Sequence, residues 1–375
     1  MDPHPDADTP QPAMLADIRR QGDVLDTLLE RAPEFGRLGA ERLRPDGDGR
    51  LFAFGCGDGW FAARAVAGVA REAFGLDLAA HTSLAMLLRE APGASPADRA
   101  VAISMSGTVD RTNAAGAALT AAGAGYVALS NTDGAALGAG ATAVASLQVP
   151  DVAAFLTGTA RYSATVLALM MLVEGAAGRA TMPLSAGADV RILVKRLPAV
   201  LDTAEAVLRP MAQEVFAQGF GGIRVLGAGA DWATADYGAA KLVKVVASPV
   251  WAGEIEEYAH SQFWSSRPDE LVVLLASTPA VAQLAENTAA ALQAAGQKVL
   301  AIETAGVPVP SAAWRLTLPP TPAWLSPLLM PAPLQVLAYA MALATGHDPN
   351  LSQDQADPQR FLAAQLLSRR CELAA

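Results

Sequence analysis

Ala100-Val101-Ala102-Ile103-Ser104-Met105-Ser106-Gly107-Thr108 is an apolar run that ends abruptly in hydroxyls and a glycine, and a strongly helical pattern follows it. A short apolar run bounded by small polar residues reads as a buried strand, and the helical periodicity behind it reads as a crossover helix. A strand ending this way at a helix start brings backbone N–H groups, side-chain hydroxyls and the positive end of a helix dipole into one small region. In such an anion cradle Ser104 and Ser106 donate hydrogen bonds, Gly107 admits close backbone approach, and Thr108 binds or caps. The same residues also satisfy an ordinary N-cap.

The pattern extends in both directions. Candidate strands lie at residues 51–55, 100–104, 126–130 and 143–149, with helices near 60–73, 112–122 and 161–174. Each strand ends at polar or glycine residues, where open α/β sheets place their ligands. After Gly178 the character changes: residues 179–187 are turn-rich, and 189–218 read as one long helix. The order then repeats, with strands at 223–227, 271–276 and 299–303 and helices at 232–246 and 279–294. Gly-Ala-Gly at 227–229 echoes Gly-Cys-Gly at 55–57, which points to an internal duplication. The expected fold class is α/β: two three-layer αβα sandwiches with parallel sheets. The expected division is a disordered lead-in at 1–12, a first domain at 13–180, a second at 187–345 and a tail at 346–375.

The bulk numbers agree with two globular units. A length of 375 residues exceeds one ordinary domain, and 52% hydrophobic against 17% charged residues excludes general disorder. A net charge of −10 without any basic run argues against nucleic acid as a partner. Cys56 and Cys371 are the only cysteines, which fits neither a disulfide framework nor a zinc site and suits a reducing cytoplasm. The acidic, proline-rich start lacks the regions of a signal peptide. The apolar segments 166–173 and 325–344 are too short or are interrupted by Pro331, Pro333 and Gln335, so they read as buried helices and not membrane spans. His4, His81, His260 and His347 have no ligand spacing, and residues 55–60 (GCGDGW) lack the third glycine of a dinucleotide fingerprint. Neither a metal nor a cofactor is expected.

Taken together and in order, several motifs resemble the SIS (sugar isomerase) family. They are GCGDGW at 55–60, SMSG at 104–107, LSNTDGAAL at 129–137, LGAG at 226–229, GAAKL at 238–242, EEYAH at 256–260 and PLQVLAYAMALATGHDP at 333–349. The resemblance is to the isomerase half of glucosamine-6-phosphate synthase and to related phosphosugar isomerases and deglycases. It implies two flavodoxin-like SIS domains, a phosphate held at Ser104, Ser106 and a neighbouring threonine such as Thr157, and a sugar ring between the halves. It also implies a homodimer in which His260 opens the sugar ring in the neighbouring subunit's site, a role that suits imidazole because it titrates near neutrality.

The departures from that family fall on chemistry. Where the resembled turn offers Thr-Ser beside the phosphate, this chain has Asp58-Gly59 after Gly57, and a carboxylate next to a dianion is costly. The expected threonine two residues past Gly107 is Val109, with Arg111 nearby as compensating charge. The position that removes the proton beside the carbonyl in the resembled enzymes is Lys244, a cation that faces a substrate oxygen more economically than it serves as base. Glu257 and then Glu254 are the remaining candidate bases. Three functions follow: an aldose–ketose or amino-sugar isomerase/deaminase, a sugar-phosphate sensor without catalysis, and an isomerase of a non-phosphorylated or sulfonated sugar.

Overall fold

Leu51, Ala53, Val101, Ile103, Val127 and Leu129 point into one apolar cluster, while Phe52, Phe54, Ala100, Ala102, Tyr126 and Ala128 point into another on the opposite face. Strands covered on both faces carry apolar residues at every position, which is why they read as unbroken runs. The computed structural model describes residues 13–153, 157–178, 184, 187–246, 248–350 and 357–368. The lead-in at 1–12 and most of the expected boundary at 179–187 lie outside the described residues.

The first sheet contains β1 (Leu51–Gly55), β2 (Ala79–Thr82), β3 (Arg99–Ile103), β4 (Gly125–Ser130) and β5 (Ala143–Ser146), all parallel, in the order β2-β1-β3-β4-β5. The second contains β6 (Gly222–Gly227), β7 (Val250–Glu254), β8 (Glu270–Ala276), β9 (Lys298–Thr304) and β10 (Trp314–Leu318) in the order β10-β9-β8-β6-β7, also parallel. Read from its other edge, the second order is the first one repeated. This is the doubly wound order in which ligands sit at the carboxyl ends of the strands, where the strand order reverses. The strands missing from the sequence reading, β2, β7 and β10, are all edge strands. They are partly exposed along their length and so carry no continuous apolar run.

The helices after β1 and β6, Asp58–Phe74 and Ala230–Val245, pack on each other across the two halves. Their N-caps share one backbone conformation: Gly57 has φ 52° and ψ −122°, and Gly229 has φ 57° and ψ −126°. Three residues beyond each glycine stands a tryptophan, Trp60 or Trp232, and the Arg64 guanidinium lies 5.0 Å and 4.4 Å from their ring centroids. Arg64 also pairs with Asp236 across the same interface. One apolar cluster runs through both halves, centred on the helices Ala160–Ala177 and Pro331–Ala344. The segment Ala323–Ala344 is long and apolar enough for a membrane span, but 89% of its apolar window is buried inside the protein, as expected of a core helix. The N-terminal helix Ala13–Arg19 packs on Pro331–Ala344, and its Asp17 carboxylate accepts from Thr159 N, Thr159 Oγ1 and Ala160 N at the start of the Ala160–Ala177 helix.

Candidate active site

The cradle sits between β3 and its crossover helix and is not part of the helix. That helix begins at Asp110 with Val109 as its N-cap, so residues 104–108 form a free-standing loop. Thr108 therefore caps nothing; its hydroxyl donates to Ser106 Oγ at 3.0 Å, and its N–H points to the same oxygen at 3.3 Å. Ser106 Oγ thus accepts twice and keeps its own proton to donate, in a chain of hydrogen bonds that strengthens the donor. Ser104 Oγ accepts from Gly107 N at 3.1 Å. The Met105 carbonyl fastens the loop by accepting from Asn131 N, Ser130 Oγ and Thr132 Oγ1 at the end of β4. Gly107 has φ 62°, and a Cβ there would stand 2.3 Å from Ala135 Cβ, so the position requires glycine on two counts.

A cleft of about 290 Å³ opens against this loop, lined among others by Asp58, Gly59, Ser104, Ser106, Arg161 and Tyr162. Gly57, Gly107 and Thr108 shape the adjoining backbone without lining the cleft. Thr157 is buried one residue before the lining Gly158, and Arg111 stands in the first turn of the helix Asp110–Ala121, outside the lining.

Asp58 has a partner that sequence reading missed. Its Oδ2 lies 2.5 Å from the Nζ of Lys241, a fully buried residue of the other half. Burial pushes the Asp58 carboxyl up, yet Lys241, Lys244 and Arg161 together hold it below the ordinary carboxylate range. Burial pushes Lys241 down to about 8, against the pull of Asp58. The ammonium also lies 4.8 Å over the Tyr237 ring, which stacks on Tyr162 with centroids 3.5 Å apart and planes 13° from parallel. A carboxylate matched by an internal cation no longer repels an anion in the cleft. Lys241 was visible in sequence only as part of the GAAKL motif.

The residues expected to move protons stand elsewhere in the chain. Lys244 is exposed on the helix Ala230–Val245 and contributes to the field at Asp58. Glu254 Oε2 accepts from Glu256 N at 2.8 Å and Glu257 N at 2.9 Å, so it caps the short helix Ile255–His260. Glu257 and His260 are exposed on that helix, and His260 Nε2 lies 3.2 Å from Glu256 Oε1. None of these four lines the cleft of its own chain.

Two further lining residues, Arg161 and Tyr162, were not singled out from sequence. Arg161 pairs with Asp151. Its Nε and the Tyr162 hydroxyl are buried without a hydrogen-bond partner among the described residues.

No protein-family model matches the sequence, and no curated protein does. Solved structures do match along nearly the whole chain. The C-terminal domain of glucosamine-fructose-6-phosphate aminotransferase from Francisella tularensis superposes with a TM-score of 0.75 at 16% identity, covering 92% of this chain and 99% of its own. This is the double-SIS fold. The same fold is shared with glucosamine-6-phosphate deaminase from Thermotoga maritima, at TM-score 0.72, 18% identity, 92% of this chain and 98% of that one. It is shared too with tagatose-6-phosphate ketose/aldose isomerase from Escherichia coli, at TM-score 0.69, 18% identity, 92% of this chain and 97% of that one. The double-SIS architecture expected from the motifs is thus present, with the 104–108 loop at the carboxyl end of β3 in its first half.

Proposed function

We propose that this double-SIS protein is a cytoplasmic, homodimeric sugar-phosphate aldose–ketose isomerase or amino-sugar isomerase/deaminase, with residues 13–180 and 187–345 as its duplicated domains. The observation that carries this reading is the pairing of a hydroxyl-rich loop, Ser104 to Thr108, with a cleft whose one lining carboxylate among the described residues, Asp58, is already matched by Lys241. The loop holds the anion by the hydroxyl donors of Ser104 and Ser106, since the N–H groups of Ser104, Gly107 and Thr108 already bond within the fold. Lys244, which stands outside the cleft lining, adds positive potential at Asp58. His260 and Glu257, exposed and outside the lining of their own cleft, act in the second copy. There His260 opens the ring and Glu257 takes the proton beside the carbonyl and returns it to the neighbouring carbon. That transfer through an enediol changes no net oxidation state; in the amino-sugar case the proton shift passes through an enolamine to a ketimine, and a solvent water adds to the ketimine carbon and expels ammonia, leaving the ketose.

A panel of hexose and hexosamine 6-phosphates, followed by solvent-deuterium wash-in and ammonia release, tests the chemistry. Mixing Ser106→Ala and His260→Ala chains tests the shared site, since hybrid dimers hold one intact site and should recover part of the activity that each variant lacks. A sugar-phosphate sensor is the second reading, favoured by Lys244 at the proton-abstracting position. Phosphate-dependent stabilisation without deuterium exchange on any sugar would establish it.

A further inference from the structure

We infer that Arg161 and Tyr162 form the selective wall of the cleft, with Arg161 holding the anionic oxygen of the ligand and Tyr162 donating to a neighbouring sugar oxygen. The inference rests on reading the cleft as a sugar-phosphate site. The 104–108 loop offers hydroxyls but no charge, and the residue that follows it is the apolar Val109. Among the described lining residues Arg161 is the one cation and Asp58 the one anion, and Lys241 already neutralises Asp58. Discrimination between a charged and an uncharged sugar therefore falls to Arg161.

The open valences point the same way. A guanidinium stays charged at any working pH and carries five donors. Asp151 engages one edge of Arg161, while the buried Nε has no acceptor among the described residues. Tyr162 is 2% exposed, and its hydroxyl is likewise unpartnered. Buried polar atoms left unsatisfied are costly, and two on consecutive residues of one cleft wall are accounted for by a ligand that accepts from both. The stack on Tyr237 fixes the Tyr162 ring before any ligand arrives. The backbone N–H groups of Thr159 and Ala160 are already taken by Asp17, so the side chains and not the helix terminus provide the donors.

The test uses the full chain as wild type, Arg161→Gln, Arg161→Lys and Tyr162→Phe, with inorganic phosphate, a hexose 6-phosphate and the parent hexose as probes in calorimetric binding and thermal unfolding. Arg161→Gln should weaken phosphate and hexose 6-phosphate binding by about tenfold or more, the effect of losing a hydrogen bond to a charged group, and leave the parent hexose unchanged. Arg161→Lys should restore part of that loss, because a point charge replaces the planar fork. Tyr162→Phe should weaken hexose 6-phosphate about fivefold while the unliganded Tm stays the same or rises, since the hydroxyl it removes has no internal partner. Wild-type phosphate affinity in Arg161→Gln, or no phosphate binding by the wild type, overturns the inference. So does a Tyr162→Phe protein that loses Tm and keeps its affinity. Arg161-dependent phosphate binding without turnover of any sugar would instead sink the isomerase reading and leave this one standing.

Discussion

Lys241 Nζ lies 2.5 Å from Asp58 Oδ2, and this contact ties the strand-to-helix turn of the first half to the helix Ala230–Val245 of the second. The two ends of the pair differ: the Lys241 side chain has no exposure and the Asp58 side chain 33%. Removing the carboxylate therefore strands a fully buried cation. Asp58→Ala should cost about 3–5 kcal/mol, the range for breaking a buried pair at one end. Lys241→Met in the same background should recover part of it. Urea unfolding of the two single variants and the double variant checks this, and simple additivity would show that the pair is not coupled.

Anion binding should carry the titration of Lys241. Its folded value of about 8 is below the free value of 10.5, so between them the unfolded chain holds a proton that the folded chain has released. This group alone thus adds stability as pH rises from about 8 toward 10.5, and adds none below that window. Binding moves the other way, because a neutral Lys241 no longer offsets Asp58. Phosphate affinity measured by calorimetry should fall above pH 8 in the wild type and stay level in the Asp58→Asn, Lys241→Met double variant. A wild-type profile as flat as the variant's would remove Lys241 from the anion site's electrostatics.

Asp231 is a second buried carboxylate, with Ser277 N donating to Oδ2 at 3.2 Å and with no partner for Oδ1 among the described residues. Burial pushes it from 3.8 up to about 6. A raised acid binds its proton more tightly in the folded state, so its contribution is intact below 3.8 and is lost as pH climbs through about 6. Asp231→Asn should raise stability by up to about 3 kcal/mol at alkaline pH, the equivalent of roughly two pKa units, and by far less near pH 4. Thermal unfolding at both pH values decides it; a gain of equal size at each would show that ionisation is not the cause.

Glu254 and Glu257 should separate cleanly. Glu254 caps the helix Ile255–His260 through two backbone N–H groups, so Glu254→Ala should lower stability by about 1 kcal/mol, as loss of an N-cap does. Glu257 is exposed, and Glu257→Gln should leave the unfolding curve unchanged while abolishing deuterium exchange beside the carbonyl. Full exchange in Glu257→Gln combined with loss in a stably folded Lys244→Ala would transfer the base to the lysine.

The sequence by itself determined the central strands and the 104–108 loop, for a local reason. Strands such as β1, β6 and β8 are buried on both faces and read as near-continuous apolar runs, broken only by Arg224 and Glu270, which pair with each other across β6 and β8, and a loop that opens at the end of β3 announces itself by the change to hydroxyls and glycine. The repeat was partly legible as well: the Gly57 and Gly229 turns share a Gly-x-x-Trp spacing whose second member gained meaning only when Trp60 and Trp232 were seen flanking one arginine. Tertiary structure alone decided the edge strands, whose half-exposed residues follow no simple pattern, and the charge state of the cleft. Asp58 and Lys241 are 183 residues apart, and nothing local to either shows that one neutralises the other. The same holds for Tyr162 on Tyr237, which meet only because two helices from different halves share a core. Local chemistry specified the donors of the site; long-range packing fixed which charges face them, because burial and pairing are properties of the assembled fold.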